Sequence, residues 1–314
     1  MKFSNSDEKP ILSICVITYN HKKYIEQSLE SIFSQETNFA CEIIVADDCS
    51  NDGTADILRS YASKYPLKLI LQSPNKGPGL NWLDLVNAAT GKYIAYLEGD
   101  DYWTDNLKLQ IQVDFLEKNP DLSMCFHELE VFHEDTQKSS NFIHFSNSFK
   151  RITLREYVLC DNFIPLLTTV YKNKLVDPFP AFFYQNNFLG DFSLCAINAS
   201  FGDIGYIPKS MASYRISNTG IWSLKSRLHK IEKLINTYKL LESHFDKIEY
   251  KNYLYQSIQI ESLKFAFYQF KENKSFSALF SASCKYFSGF YYFIYRRLLS
   301  FYIIKVKKDT FNLN

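Results

Sequence analysis

The chain lacks an excess of charge of either sign. Lysine and arginine together number 35 and aspartate and glutamate 34, a formal net charge of +1 over 314 residues. Without a basic surplus there is no global electrostatic case for nucleic acid as a partner. Paired cysteines are also missing. The seven cysteines are Cys15, Cys41, Cys49, Cys125, Cys160, Cys195 and Cys284, an odd count with no C-x-x-C. Most lie in apolar runs, which reads as buried thiols in a reducing compartment. The six histidines, His21, His127, His133, His144, His229 and His244, include no pair at the helical spacing of a zinc site. Met1 to Pro10 is polar and has no signal-peptide hydrophobic region, so a cytoplasmic protein is expected. There is no internal repeat and no low-complexity linker.

What is present is apolar mass, 46% of the chain. That suits one large domain, or one domain with an appendage. Ile11 to Thr18, Glu42 to Ala46, Leu67 to Leu71 and Lys92 to Leu97 are short apolar runs that read as buried strands. Between them, His21 to Ser34, Asp52 to Tyr65 and Gly79 to Ala89 carry apolar residues at helical spacing, with Gly91 as a helix stop. This β-α-β-α-β-α-β order implies a parallel sheet with helices on both faces. Right-handed crossovers favour strand order 3-2-1-4, with the topological switch between the first and fourth strands. Farther on, helices are expected at Asn106 to Lys118, Thr153 to Cys160 with a Thr cap, and Asp191 to Ser200. Strands are expected at Ser123 to His133, Leu166 to Tyr171 and Ser210 to Ile216. From Trp222 onward the chain reads as helices, with breaks near Asp246 to Tyr250 and Glu272 to Lys274.

The polar residues at the strand ends carry the chemistry. The first strand ends in Thr18-Tyr19-Asn20, the second in Asp47-Asp48, and the fourth in Glu98-Gly99-Asp100-Asp101. In order 3-2-1-4 the three clusters share one edge. Crowded carboxylates repel unless a cation or hydrogen-bond donors compensate. A hard divalent ion, Mg²⁺ or Mn²⁺, takes oxygen ligands and shares them with substrate phosphates. Read singly, each acidic run is equally well a turn or a helix cap.

These residues resemble a known family. Ser13 to Asn20 (SICVITYN), Glu42 to Thr54 (EIIVADDCSNDGT) and Gly91 to Asp101 (GKYIAYLEGDD) are similar to the opening strand, nucleotide-binding segment and D-x-D segment of family 2 glycosyltransferases, in the family's order and spacing. The resemblance covers about residues 10 to 222. It implies the α/β GT-A fold, a mostly parallel central sheet, and inverting transfer from a nucleoside diphosphate sugar to a glycan or lipid-linked acceptor. By position it assigns Thr18, Tyr19, Asn20, Asp48 and Asp100 to the donor nucleotide. A carboxylate at 48 can accept the imide N–H of uracil and so favours UDP. Asp100 matches the metal ligand, and Glu98 stands where the first aspartate of D-x-D often stands.

Leu189 to Leu194 (LGDFSL) resembles the family's acidic motif, making Asp191 the candidate base; by itself Asp191 reads as a helix N-cap. Two departures stand out. Leu80 occupies a place where many relatives carry Arg, leaving Lys76 as the alternative cation. Ser217 replaces a common His in a loop resembling Tyr214 to Ser223, where Arg215 and Trp222 remain as diphosphate-loop candidates. The implied domains are a transferase domain at 1–222, with a nucleotide-binding half at about 10–101 and an acceptor half at about 102–222, and a helical C-terminal region at 223–314. Phe287 to Val306 is long enough to span a bilayer, but Arg296-Arg297 at its centre argue against it. Contact with a membrane surface through 287–314, packing on the domain and homo-oligomerisation all remain open for this segment.

Three other readings compete. A Rossmann oxidoreductase needs a glycine fingerprint after the first strand, where Thr18-Tyr19-Asn20-His21 stands instead. A receiver-like domain needs its acidic pair on the first strand, not the second. A non-catalytic scaffold on the same fold would have no need to retain Asp48, Asp100 and Asp191.

Overall fold

The computed structural model describes residues 2–3, 9–142, 151–159, 164–185, 189–217 and 225–273. The elements run β1 (Lys2–Phe3), β2 (Leu12–Thr18), α1 (Ile25–Phe33), β3 (Ala40–Asp47), α2 (Thr54–Ala62), β4 (Leu67–Leu71), α3 (Pro78–Asn87), β5 (Tyr93–Glu98) and β6 (Tyr102–Trp103). They continue with α4 (Lys108–Lys118), β7 (Met124–His133), β8 (Lys138–Phe142), β9 (Arg151–Ile152), α5 (Leu154–Leu159), β10 (Val170–Lys172), α6 (Gly190–Ala199), β11 (Ile204–Ile216), α7 (Arg227–His244) and α8 (Ile248–Asn273). The contacts divide the chain into two compact units, 1–144 with 164–186 and 198–217, and 145–163 with 187–197 and 218–314.

In the first unit, β2 is paired in parallel with β3 on one side and β5 on the other, and β4 pairs in parallel with β3. The order β4-β3-β2-β5 is the expected 3-2-1-4. A strand flanked on both sides and covered on both faces has no use for alternation. Accordingly Leu12, Ile14, Cys15 and Val16 are all fully buried. β4 lies beyond β3 and alternates, with Lys68 exposed. α1 buries Ile25, Leu29 and Ile32 and exposes Glu26, Gln27 and Glu30, so one stripe seals the sheet and the other meets water. Each buried aliphatic side chain contributes about 1.5–3 kcal/mol.

Beyond β5 the sheet becomes mixed. β10 inserts antiparallel between β5 and β7, β11 runs parallel to β7, and β6 pairs antiparallel with β11. The Leu166 to Tyr171 run is not one strand. Leu166–Thr168 forms a 3-10 turn in which Thr168 and Thr169 hydroxyls bond back to Pro165 and Leu166 carbonyls, leaving a strand only at Val170–Lys172. β11 begins at Ile204, six residues before the expected start. Lys108 is fully buried beneath this region. Its ammonium lies 4.2 Å from the Trp103 ring centroid and donates to Gln112 Oε1 at 2.7 Å. Burial pushes its pKa down to about 7.

In the second unit, Thr153 and Glu156 form the capping box of α5. The Thr153 hydroxyl accepts from Glu156 N–H at 3.2 Å, and the Glu156 carboxylate accepts from Thr153 N–H at 2.8 Å. The break between α7 and α8 falls at residues 245–247, as expected. Among the described residues no helix is long and apolar enough to cross a membrane. Segment 287–314 and Trp222 lie outside the described residues.

Gly91 is not a helix stop, because α3 already ends at Asn87 with Ala88 in a right-handed conformation. Its reason is close approach. An added Cβ would meet Ser13 N at 2.7 Å and Leu12 C at 2.9 Å, both backbone atoms of β2. Gly91→Ala is expected to cost about 1–3 kcal/mol through overpacking, read as a lower urea midpoint with an unchanged slope.

Candidate active site

Parallel register brings three strand ends to one edge. Thr18 stands opposite Asp47, and Ile17 opposite Glu98. The pairing carries one step past the strands: Asp48 N–H donates to Thr18 C=O at 3.0 Å, and Gly99 N–H donates to Ile17 C=O at 2.9 Å. The edge therefore holds Thr18, Asp48 and the Glu98–Asp101 turn, beside the switch from β2 to β5.

The loops after β2 and β3 are laced together. Asn20 sits in the left-handed region at φ 57°, and its N–H reaches Ser50 Oγ at 2.8 Å. Its side-chain carbonyl accepts from Asn51 N–H at 3.0 Å, so Asn20 holds the loop. Lys22 N–H donates to Asp52 at 2.9 Å, and Asp52 also accepts from Thr54 N–H and hydroxyl at 3.0 and 2.6 Å. Burial raises the Asp52 pKa, but these hydrogen bonds together outweigh it and leave the carboxyl below its ordinary value. Asp47 is spent on a turn, accepting from Ser50 N–H and hydroxyl at 3.0 and 2.5 Å. Tyr19 is exposed at the rim.

Asp48 is buried, and one carboxylate oxygen accepts from the backbone N–H of Lys76 at 2.7 Å. Asn75 fixes its carbonyl at 2.7 Å. Lys76 thus reaches Asp48 through its main chain, while its ammonium pairs with Asp84 at 2.6 Å. The hydroxyl of Thr18 is buried without a hydrogen-bond partner among the described residues.

In the acidic turn the two aspartates differ. Asp101 is buried and accepts from Arg215 N–H at 2.7 Å. Burial, and then the neighbouring Asp100, hold its pKa well above the ordinary value. Asp100 is half-buried, and its carboxylate lies 3.8 Å from His21 Nε2. His21 also packs on the turn from the other side: a Cβ at Gly99 would come within 3.0 Å of its Nδ1 and 2.7 Å of the Thr18 hydroxyl. Read from sequence, His21 is one of six ordinary histidines. Its position directly after Thr18-Tyr19-Asn20 is the signal that places it here.

Among the described residues no three acidic, His or Cys side chains form a group that would hold an ion unaided. Mg²⁺ and Mn²⁺ sites in phosphate enzymes use one or two carboxylates and complete the shell with phosphate oxygens and water. Asp100 fits that role, being accessible and hard. Glu98, half-buried at the end of β5, is a further carboxylate at this edge.

A sequence profile described as "Glycosyl transferase family 2" matches residues 13–171, half of the chain. The chain belongs to glycosyl transferase family 2. Among curated sequences, an uncharacterized protein of Mycobacterium tuberculosis is 39% identical over 214 residues, covering 67% of this chain. The match spans 60% of that protein's length. Among solved structures, Staphylococcus aureus TarS 1–349 in complex with UDP-GlcNAc has a TM-score of 0.65 at 17% identity, covering 96% of this chain and 91% of that one. The mannosyltransferase PcManGT from Pyrobaculum calidifontis, in complex with GDP-Man and Mn²⁺, has a TM-score of 0.59 at 16% identity, covering 94% and 88%. At such identities the likeness shows the fold: the α/β family 2 transferase fold expected above.

In the second unit, Asp191 stands in the first turn of α6. Leu189 N–H donates to Thr237 Oγ1 at 2.8 Å, and Leu189 C=O accepts from Ser193 N–H at 3.0 Å. Phe192 behind it stacks on Tyr157 at 4.7 Å and meets Tyr238 edge-on at 5.3 Å. The carboxyl is partly buried, and desolvation raises its pKa to about 6.

Asp48→Ala is expected to strand the Lys76 N–H and cost about 1–3 kcal/mol in urea denaturation, with Asp48→Asn costing less because it keeps an acceptor. Equal losses in the two variants would show that the N–H contact is not what Asp48 supplies to the fold.

Proposed function

We propose that this chain is an inverting glycosyltransferase. It moves a sugar from a nucleoside diphosphate sugar, with uridine favoured, to a hydroxyl of a glycan or lipid-linked acceptor. The observation that carries this reading is the meeting of Thr18, Asp48 and Asp100 at one sheet edge. The complexes of TarS with UDP-GlcNAc and of PcManGT with GDP-Man and Mn²⁺ support a nucleotide-sugar site on this fold. The transferase domain is taken as 1–222, with 223–314 as a C-terminal region whose described part holds α7 and α8.

In this account Asp48, held by Lys76 N–H, uses its other oxygen for the imide N–H of uracil, with Thr18 and Tyr19 flanking base and ribose. Asp100, together with Glu98, would hold Mg²⁺ or Mn²⁺, whose charge would offset that building on the departing diphosphate. Asp191 accepts the proton of the acceptor hydroxyl as its oxygen bonds to the anomeric carbon. The bond from that carbon to the diphosphate oxygen breaks on the opposite face, which inverts the centre. A pKa of about 6 leaves Asp191 ionised at neutral pH and closer to the operating pH than an ordinary carboxylate.

A screen of nucleotide sugars by calorimetry is expected to find binding that needs Mg²⁺ or Mn²⁺, strongest for a uridine donor. Asp191→Asn should bind the donor like wild type and lose transfer by on the order of a hundredfold or more. Wild-type turnover in that variant would move the base elsewhere. The ionised form is the active one, so kcat/KM should fall as pH drops through about 6. Because the folded pKa is raised, this group's contribution to stability declines as pH rises through the same window.

A further inference from the structure

Arg215 is engaged on every side. Its backbone N–H donates to Asp101 Oδ1 at 2.7 Å, its Nε–H donates to the Asp100 carbonyl at 2.8 Å, and a terminal nitrogen donates to Gln27 Oε1 at 2.6 Å. The guanidinium carbon lies 4.7 Å from the Tyr24 ring centroid, and 5.4 Å from those of Tyr102 and Phe132. Tyr24 is itself anchored, because its hydroxyl donates to Glu134, which also accepts from the Lys23 ammonium. Glu134 in turn is tied by its N–H to the Ile216 carbonyl at 3.0 Å. One cation thus joins α1, the turn after β5, the end of β7 and the end of β11.

We infer that Arg215 is a positioning residue. It fastens the backbone of the Glu98–Asp101 turn so that the Asp100 carboxylate is presented for the metal, instead of itself contacting the diphosphate. A planar fork is needed for this. Nε must donate along the chain while the flat face of the guanidinium lies against rings, which a lysine ammonium cannot reproduce. The arrangement also compensates charge. The guanidinium donates to the carbonyl of Asp100 and the Arg215 backbone N–H to the buried carboxyl of Asp101, while the half-buried Asp100 carboxylate lies beside His21. The resemblance of Tyr214 to Ser223 to a family loop suggests a diphosphate contact for Arg215. The geometry points to the acidic turn.

The inference rests on the proposed metal-dependent donor site, and the test separates the two. In metal-free protein, amide hydrogen exchange is followed at Gly99 and Asp101, whose N–H groups bond to Ile17 and Glu98 carbonyls at 2.9 and 3.1 Å. Arg215→Lys should speed exchange at both by on the order of tenfold while Ile14 to Val16 in β2 stay unchanged. Calorimetry with UDP then measures the Mn²⁺ concentration at half-maximal binding. It should rise about tenfold in Arg215→Lys, with UDP affinity at saturating Mn²⁺ within about twofold of wild type. Gln27→Ala, at an exposed site, should shift both readouts in the same direction by less, and it keeps the test alive if Arg215→Lys folds poorly.

Unchanged exchange and an unchanged Mn²⁺ midpoint would overturn the inference. So would faster exchange throughout β2, which marks a merely structural contact, or a loss of UDP affinity at saturating Mn²⁺ without faster exchange, which marks a direct diphosphate contact. Wild-type protein that binds UDP without metal would instead overturn the metal-dependent donor site, and the exchange result would still decide whether Arg215 holds the turn.

Discussion

The parallel pairing of β2 with β3 and β5 is the constraint from which the rest follows. It puts Thr18 opposite Asp47 and Ile17 opposite Glu98, so the three strands end within one residue of one another. Every group assigned to donor binding in the first unit is within a few residues of those three strand ends or is held by one of them. Both faces of β2, β3 and β5 are buried, so a one-residue slip would set side chains fitted to one face against the packing of the other, and close packing holds the register. Close approach at Gly91 and Gly99 then lets the strand entry and exit of β5 lie directly against β2.

Gathering carboxylates at one edge is costly. Two like charges about 4 Å apart repel by about 4 kcal/mol at an effective dielectric constant of 20. The structure answers each acid separately. Asp47 accepts from Ser50, Asp52 from Thr54 and Lys22 N–H, Asp48 from Lys76 N–H, and Asp101 from Arg215 N–H, which offsets its burial only in part. Among the described residues, the Asp100 carboxylate has His21 as its ion-pair partner, at 3.8 Å. Asp101 is buried and keeps a raised pKa, whereas Asp100 is half-buried with its carboxylate accessible, which suits it to a divalent ion and a diphosphate. That asymmetry gives two adjacent aspartates different work.

Much of this was legible in the sequence, for physical reasons that can be named. Short apolar runs rich in β-branched residues, such as Leu12 to Thr18, suit a strand buried on both faces, and alternation with amphipathic helices leaves few topologies. The order β4-β3-β2-β5 therefore matched expectation. The second half was harder. β6 is two residues long and exists because β11 reaches it, and the run at Leu166 to Tyr171 is broken by threonine hydroxyls that bond locally. Such pairings depend on partners about a hundred residues away. At the site, residue types marked the edge, but not which atoms serve it. Lys76 acts on Asp48 through its main chain, Asn20 laces a loop, and His21 and the aromatic cage of Arg215 come from folding rather than from a motif. Trp222 and segment 287–314 fall outside the described residues.

The central claim is that Asp100, presented at this edge, is where metal and nucleotide diphosphate meet. It is tested most directly by crystals grown with UDP and Mn²⁺, with data collected at the manganese absorption edge. The account predicts an anomalous peak bonded to the Asp100 carboxylate at about 2.0–2.2 Å and to diphosphate oxygens, with uracil against Asp48. A manganese ion away from Asp100, or UDP seated at another edge of the sheet, would contradict it.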